Sequence, residues 1–307
     1  MQLQGVLPIL PTPFTDDGNV DKTSLRRLID FELEVGVHGV SILGFMGEAH
    51  RLATTERRHI VETVVEQAGG RFPTWVGVLA FGSAGAIEQA REAQELGAAG
   101  VFVAPIAVQN DDVIFDYYAS IAETLEIPVA IHDFPESFGT ILSPALIARM
   151  ANEIDGVDYV KLEEHPVLAK MSRILTMAPD SIGIFGGLGG LYFLEELQRG
   201  SRGIMTGFAF PEVLLAVYET FRAGDTNAAS ALFDRYVPLI RYEFQPKIGL
   251  AYRKFVYQRR GIIDSTFIRP PGSQIDDYTR NELAAIVERT GLRLDVTGVQ
   301  PIGAAAP

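Results

Sequence analysis

Short apolar runs alternate with amphipathic stretches along most of this chain. Residues 5–10 (GVLPIL) are apolar throughout and end in the turn residues Pro11-Thr12-Pro13-Phe14. Asp21 then caps a stretch in which Leu25, Leu28, Ile29 and Leu33 recur at helical spacing, and Gly36 closes it. Further strand-like runs are predicted at 39–43, 74–79, 100–104, 128–131, 157–161, 182–185 and 203–206, each followed by a helical pattern. Strands alternating with helices predict a parallel sheet. Eight such units within about 220 residues predict an α/β fold of the (β/α)8 TIM-barrel type. A doubly wound open sheet is the alternative. It usually places a glycine-rich phosphate loop after an early strand, and none follows Leu10. The cluster Gly186-Gly187-Leu188-Gly189-Gly190 comes after the seventh strand and lacks a P-loop lysine. It reads as a tight turn or a close approach of backbone to a ligand.

After Arg222 the alternation stops. Residues 225–259 and 275–292 carry helical patterns with no strand between them. The organisation expected is a barrel over 1–224, a helical extension over 225–295 packed on it and available for subunit contacts, and a flexible tail over 296–307 rich in Pro, Gly and Ala.

Composition narrows the function classes. The 307 residues are 47% hydrophobic, ample for a large core. A net charge of −13 argues against nucleic acid or an anionic membrane as partner. No run approaches the roughly 18 apolar residues of a membrane span. Without cysteine there are no disulfides or thiolate metal sites. The five histidines are scattered with no HExxH-like pair, so no protein-held metal is expected. The N-terminus shows no basic segment with an apolar run behind it, which fits a cytoplasmic protein.

In a barrel the chemistry sits where strands end at the C-terminal face. Those ends read Gly44-Phe45-Met46-Gly47-Glu48 after the second strand, His132-Asp133 after the fifth, Lys161-Leu162-Glu163 after the sixth, Gly187 within the glycines after the seventh, and Met205-Thr206-Gly207 after the eighth. Lys161 ends the apolar run Val157-Asp158-Tyr159-Val160. Burial there would lower its pKa and make it a nucleophile; the bland alternative is a surface lysine paired with Glu163 or Glu164. His132 could equally be a hydrogen-bonded core residue, Asp133 a turn former and Glu48 a complement to a helix dipole. Their convergence on one mouth favours a site.

The layout resembles the dihydrodipicolinate synthase/N-acetylneuraminate lyase family of Schiff-base barrels over residues 5–292. GVLPILPTPF looks like the family's first strand and TPF turn, and GFMGEAHRL (44–52) like its G-x-x-G-E-x-x-x-L loop. VKLEE resembles the segment bearing the imine-forming lysine, and GIMTG (203–207) the eighth-strand motif. The resemblance implies Lys161 as the imine lysine, backbone amides of Phe45 and Met46 as carboxylate donors, no cofactor, a 2-oxo acid substrate, and a homo-oligomer, usually a tetramer. It also shows departures. The two loop threonines are Phe45 and Met46, the relay tyrosine of Y-N-x-P is His132, and Glu136-Ser137-Phe138-Gly139 lacks the arginine of the synthase. Ile106-Ala107 replaces the tyrosine pair expected after the fourth strand. His132-Asp133 with Pro135 and Gly139-Thr140, Lys161-Leu162-Glu163 and Met205-Thr206-Gly207 with Phe210-Pro211 are closer to the L-2-keto-3-deoxyarabonate dehydratase subgroup. The resemblance therefore implies a lyase of a 2-keto-3-deoxy sugar acid, a dehydratase first and a pyruvate-releasing aldolase second. His132 is the first proton-transfer candidate, Glu163 and Glu48 are second, and Asp133 orients the imidazole. A non-catalytic sugar-acid-binding barrel is the alternative from another class.

Overall fold

The computed structural model describes residues 2–303. Eight strands form one parallel sheet: β1 (Gly5–Pro8), β2 (Val40–Ile42), β3 (Thr74–Ala80), β4 (Gly100–Pro105), β5 (Val129–Asp133), β6 (Val157–Leu162), β7 (Gly183–Gly186) and β8 (Gly203–Thr206). Neighbours pair in sequence order from β2 to β8, and β8 returns to β1. The ring closes where Ile9 bridges Ser41 and the Leu10 N–H donates to the Ser41 carbonyl at 2.9 Å. The expected TIM barrel is thus observed.

The helices lie where the 3.6-residue spacing put them. α1 (Lys22–Val35) starts at Asp21, whose carboxylate accepts from the Thr23 and Ser24 amides. α2 (Thr54–Ala68), α3 (Ser83–Glu95) and α4 (Asp111–Ala122) follow, then a single turn α5 (Pro135–Phe138) that the apolar pattern did not signal. α6 (Pro144–Glu153), α7 (Val167–Leu175), α8 (Phe193–Gln198) and α9 (Pro211–Arg222) complete the outer layer. None of the helices among the described residues is long and apolar enough to cross a membrane.

Leu7, Ile9, Trp75, Phe102, Ala130, Tyr159, Phe185 and Met205 fill the barrel interior, one side chain or two from most strands. This plug leaves the C-terminal mouth as the place for a ligand. The extension comprises α10 (Thr226–Glu243), α11 (Gly249–Arg259) and α12 (Asp277–Arg289), and the junction of α10 with α11 lies over that mouth. The continuous helical pattern read over 225–259 is in fact broken between α10 and α11. Pro246 has no N–H to continue a helix, and Lys247 adopts a left-handed φ of 69°. The described part of the tail makes hydrogen bonds to the extension. Gln300 is buried, exchanging hydrogen bonds with the Arg293 backbone, and Arg260 donates to the Gly298 carbonyl at 2.7 Å. Residues 304–307 lie outside the described residues.

One buried acid outside the mouth has a measurable consequence. Glu196 on α8 is fully buried against Gly186, and neither carboxylate oxygen has a hydrogen-bond partner among the described residues. Burial, helped by Glu195, pushes its carboxyl up to about 8 from an ordinary 4.5. Between those values the native state holds a proton that the unfolded chain has released. The group's contribution to stability is therefore full below the lower value and is lost as pH rises through the upper one. Glu196→Gln, which never ionises, is expected to be close to wild type in stability at pH 5. Its advantage should then grow by on the order of 1.4 kcal/mol per pH unit up to pH 8. Urea unfolding at the two pH values measures this, and an advantage independent of pH would contradict it.

Candidate active site

Strand register assembles the centre of the mouth. His132 on β5 is the lateral partner of Lys161 on β6. Side chains alternate faces along a strand, so Lys161 and His132 point into the barrel, and Glu163, just past the end of β6, does the same. The Lys161 Nζ lies 3.0 Å from His132 Nε2 and in contact with the Glu163 carboxylate. His132 Nε2 is 2.9 Å from Glu163 Oε2, and Glu163 Oε1 accepts from the Leu188 N–H at 3.0 Å. Gly187 makes this possible. A Cβ there would lie 2.3 Å from Glu163 Cγ, so the residue gives room to the carboxylate and does not itself line the cavity.

All three side chains are buried, Lys161 at 4% exposure, which removes the reading of a surface lysine. Glu164 pairs instead with Lys170. Burial lowers the Lys161 ammonium well below its usual range. Burial and then the neighbouring Lys161 charge lower His132 well below 6.5. The centre therefore favours an uncharged amine and a neutral imidazole beside a carboxyl group. Through Nε2 the imidazole donates to Glu163 in one tautomer and accepts from Lys161 in the other.

Asp133 does not orient that imidazole. It follows His132 by one residue and so points out of the barrel, where its Oδ2 is 2.5 Å from Lys170 Nζ on α7. Its carboxyl is raised to about 6, burial outweighing the Lys170 charge. His132 Nδ1 has no hydrogen-bond partner among the described residues, and aromatic packing holds the ring. Phe102 and Phe138 meet it edge-on at 5.6 and 5.0 Å, and Phe134 stacks at 6.2 Å.

Opposite this centre, residues 44–48 form a tight turn after β2. Leu43 and Glu48, on either side of it, adopt left-handed φ values of 56° and 58°, a strained choice for non-glycine residues. The Gly47, Glu48 and Ala49 amides are spent inside the turn, on the carbonyls of Gly44, Phe45 and Gly44. The amides of Phe45 and Met46 donate to no acceptor among the described residues, and both residues line the mouth with Gly44. Gly47 stands behind them, its carbonyl accepting from the Thr12 hydroxyl at 2.6 Å.

Glu48 is likewise structural. Fully buried, it accepts from Lys254 Nζ at 2.6 Å, from Arg51 at 3.1 Å and from the Arg269 amide at 3.0 Å, and it does not face the cavity. Met205 belongs to the interior plug, whereas Thr206 reaches the cavity.

The cavity enclosed by these elements is about 320 Å³. Its roof comes from the break between α10 and α11, where Glu243, Phe244, Gln245, Pro246 and Lys247 hang over the mouth, and from Arg253 on α11. His50 stacks on Phe45 with ring centres 4.6 Å apart. Sequence reasoning did not find these groups. Pro246 inside a helical pattern was the available signal for the break. Among the described residues no group of three or more His, Cys, Asp or Glu side chains gathers in a way that suits a metal ion.

The model of the dihydrodipicolinate synthetase family matches residues 2–290, nearly the whole chain. The chain belongs to this family. Dihydrodipicolinate synthetase-family enzymes work through a covalent lysine Schiff base with pyruvate and need no cofactor, and the chain is accordingly a lyase of this type. It is 32% identical to the L-2-keto-3-deoxyarabonate dehydratase of Azospirillum brasilense, over 93% of this chain and 94% of that one. It is 26% identical to a probable 2-dehydro-3-deoxy-D-pentonate aldolase of Escherichia coli, over 95% and 98%. Among family structures, the crystal structure of dihydrodipicolinate synthase from Rhodopseudomonas palustris superposes with a TM-score of 0.89 at 34% identity, covering 94% of this chain and 97% of that one.

Proposed function

We propose that the protein is a hydro-lyase of a 2-keto-3-deoxy sugar acid, with Lys161 as the imine-forming residue. One observation carries this reading: a buried amine, its ammonium form disfavoured by burial, touches both a carboxylate and an imidazole, and faces two unused backbone amides across the cavity. The amine attacks the C2 carbonyl, and loss of water gives the iminium. Glu163, beside Nζ, is next to the C3 that flanks the imine carbon and takes its proton. The basicity of His132, depressed by burial, suits relaying a proton better than holding one. The enamine expels the C4 hydroxyl, which leaves as water with the proton returned from Glu163 directly or through His132. Hydrolysis of the unsaturated iminium frees Lys161 and an oxo acid one water lighter than the substrate. The dehydratase relative supports this substrate class.

Retro-aldol cleavage is the second reading. It needs a base at the C4 hydroxyl; His132 Nε2, 3.0 Å from Lys161 Nζ, is the group placed for it, and the aldolase relative supports this reading. Product mass decides between them. Incubation with 2-keto-3-deoxy pentonates of both configurations is expected to yield an acid lighter by one water. Pyruvate plus an aldehyde, with no dehydrated acid, would replace the hydro-lyase reading by the aldolase.

A further inference from the structure

Arg253 is a cation in the cavity that the scheme above does not use. It sits on α11, in the extension, and is 3% exposed. Its Nη1 meets only the Met46 thioether sulfur, a weak acceptor. Its Nε lies 3.7 Å from Glu243 Oε2 without forming a hydrogen bond, and its Nη2 has no acceptor among the described residues. Buried guanidinium groups normally fill their donors, because unfilled ones forfeit their hydration. Space has been kept for this group. A Cβ at Gly207 would stand 3.2 Å from Cζ, Nε and Nη1.

Geometry narrows what completes these donors. C2 of a 2-oxo acid must sit at Lys161 Nζ, and C3 must reach Glu163 beside it. The remaining substituent of C2 is the C1 carboxylate, which then points away from Glu163. Across the mouth stand Phe45 and Met46 after β2 and Gly207 after β8, the elements flanking β1, and Arg253 touches Met46 and Gly207. The side chains of Phe45 and Met46 bring no N–H or O–H donor, so the two amides alone would face a full negative charge.

We propose that Arg253 is a carboxylate-binding residue of this site, its guanidinium taking the substrate's C1 carboxylate together with the Phe45 and Met46 amides, while Glu243 positions it. The proposal rests on the reading of Lys161 as the imine-forming lysine. Glu243 suits the positioning role: its Oε2 also accepts from the Ala209 amide at 3.1 Å, and burial raises its carboxyl to about 7, so it only partly neutralises the arginine.

The experiment is borohydride trapping on Lys161 with pyruvate and with methyl pyruvate, which lacks the charge. For Arg253→Met the pyruvate concentration for half-maximal trapping is expected to rise at least tenfold, with methyl pyruvate trapped as by wild type. Arg253→Lys should fall between. A pyruvate value within twofold of wild type overturns the proposal, and so does an equal loss with both compounds, which would mean general damage to the site. If Arg253→Met does not fold, Arg253→Lys decides. A preference for pyruvate over methyl pyruvate reduced at least threefold supports the proposal, and an unchanged preference overturns it. Absence of any adduct in the wild type strikes at Lys161 only. Pyruvate affinity by calorimetry then carries the same comparison of variants.

Discussion

Glu163→Gln is expected to stop turnover while leaving imine formation intact. The glutamine keeps the size of the side chain, and its amide oxygen can still accept from the Leu188 N–H, so Gly187 continues to fit against it. What is lost is a group able to accept the C3 proton. kcat should fall by roughly 10²- to 10⁴-fold, the usual worth of a positioned base. Borohydride should still fix pyruvate to Lys161. Lys161→Met, by contrast, should give neither turnover nor adduct. Rapid quench and intact-protein mass separate the two variants. A Glu163→Gln enzyme retaining more than a tenth of wild-type kcat would return the proton transfer to His132.

Lys254→Met is expected to be the most damaging change away from the reacting atoms. Lys254 and Glu48 are both fully buried and meet at 2.6 Å, and Lys254 also donates to the Phe267 carbonyl at 2.7 Å. Burial draws the ammonium down to about 8, Glu48 opposing the shift. Glu48 keeps Arg51 at 3.1 Å and the Arg269 amide at 3.0 Å when Lys254 is lost, so breaking the pair costs at the low end of about 3–5 kcal/mol. For a chain of this length that lowers Tm by on the order of 5–10 °C. Glu48 also ends the turn that presents the Phe45 and Met46 amides, so half-saturation by pyruvate should rise together with the loss of stability. Adding Glu48→Gln should recover part of the stability, because no buried carboxylate is then left to be balanced by Arg51 alone. Thermal melts of the two single variants and the double variant form the cycle that tests this, and strict additivity would show that the pair is not coupled.

These residues show what the sequence made legible. Lys161 was readable because an apolar strand ending in lysine is a local pattern. β8 follows its apolar run residue for residue, since Gly203 and Thr206 bound it on both sides. The fate of Asp133 was also readable in principle. His132 and Lys161 share the inner face, so strand alternation sends the residue after each of them outward. Glu48, Glu243 and Arg253 were not readable. Lys254 is 206 positions from Glu48 and Met46 is 207 from Arg253, and no periodicity reports a contact over such a distance. A helix with a buried charge looks in sequence like one with a solvated charge until the fold supplies the other side.

The tie from Glu48 to Lys254 and Arg269 also sets an order of assembly. Contacts between residues far apart in sequence carry the heaviest loop-closure cost and form late. A nascent chain that has emerged as far as Phe244 already holds all eight strands, Lys161 and Glu163. It lacks the lysine that anchors the turn at Glu48, the arginine above Met46 and the whole of α11. Synthesis thus delivers Lys161 and Glu163 well before the residues that roof the cavity above them. The last fifth of the polypeptide closes a cavity over a barrel whose strands are already made.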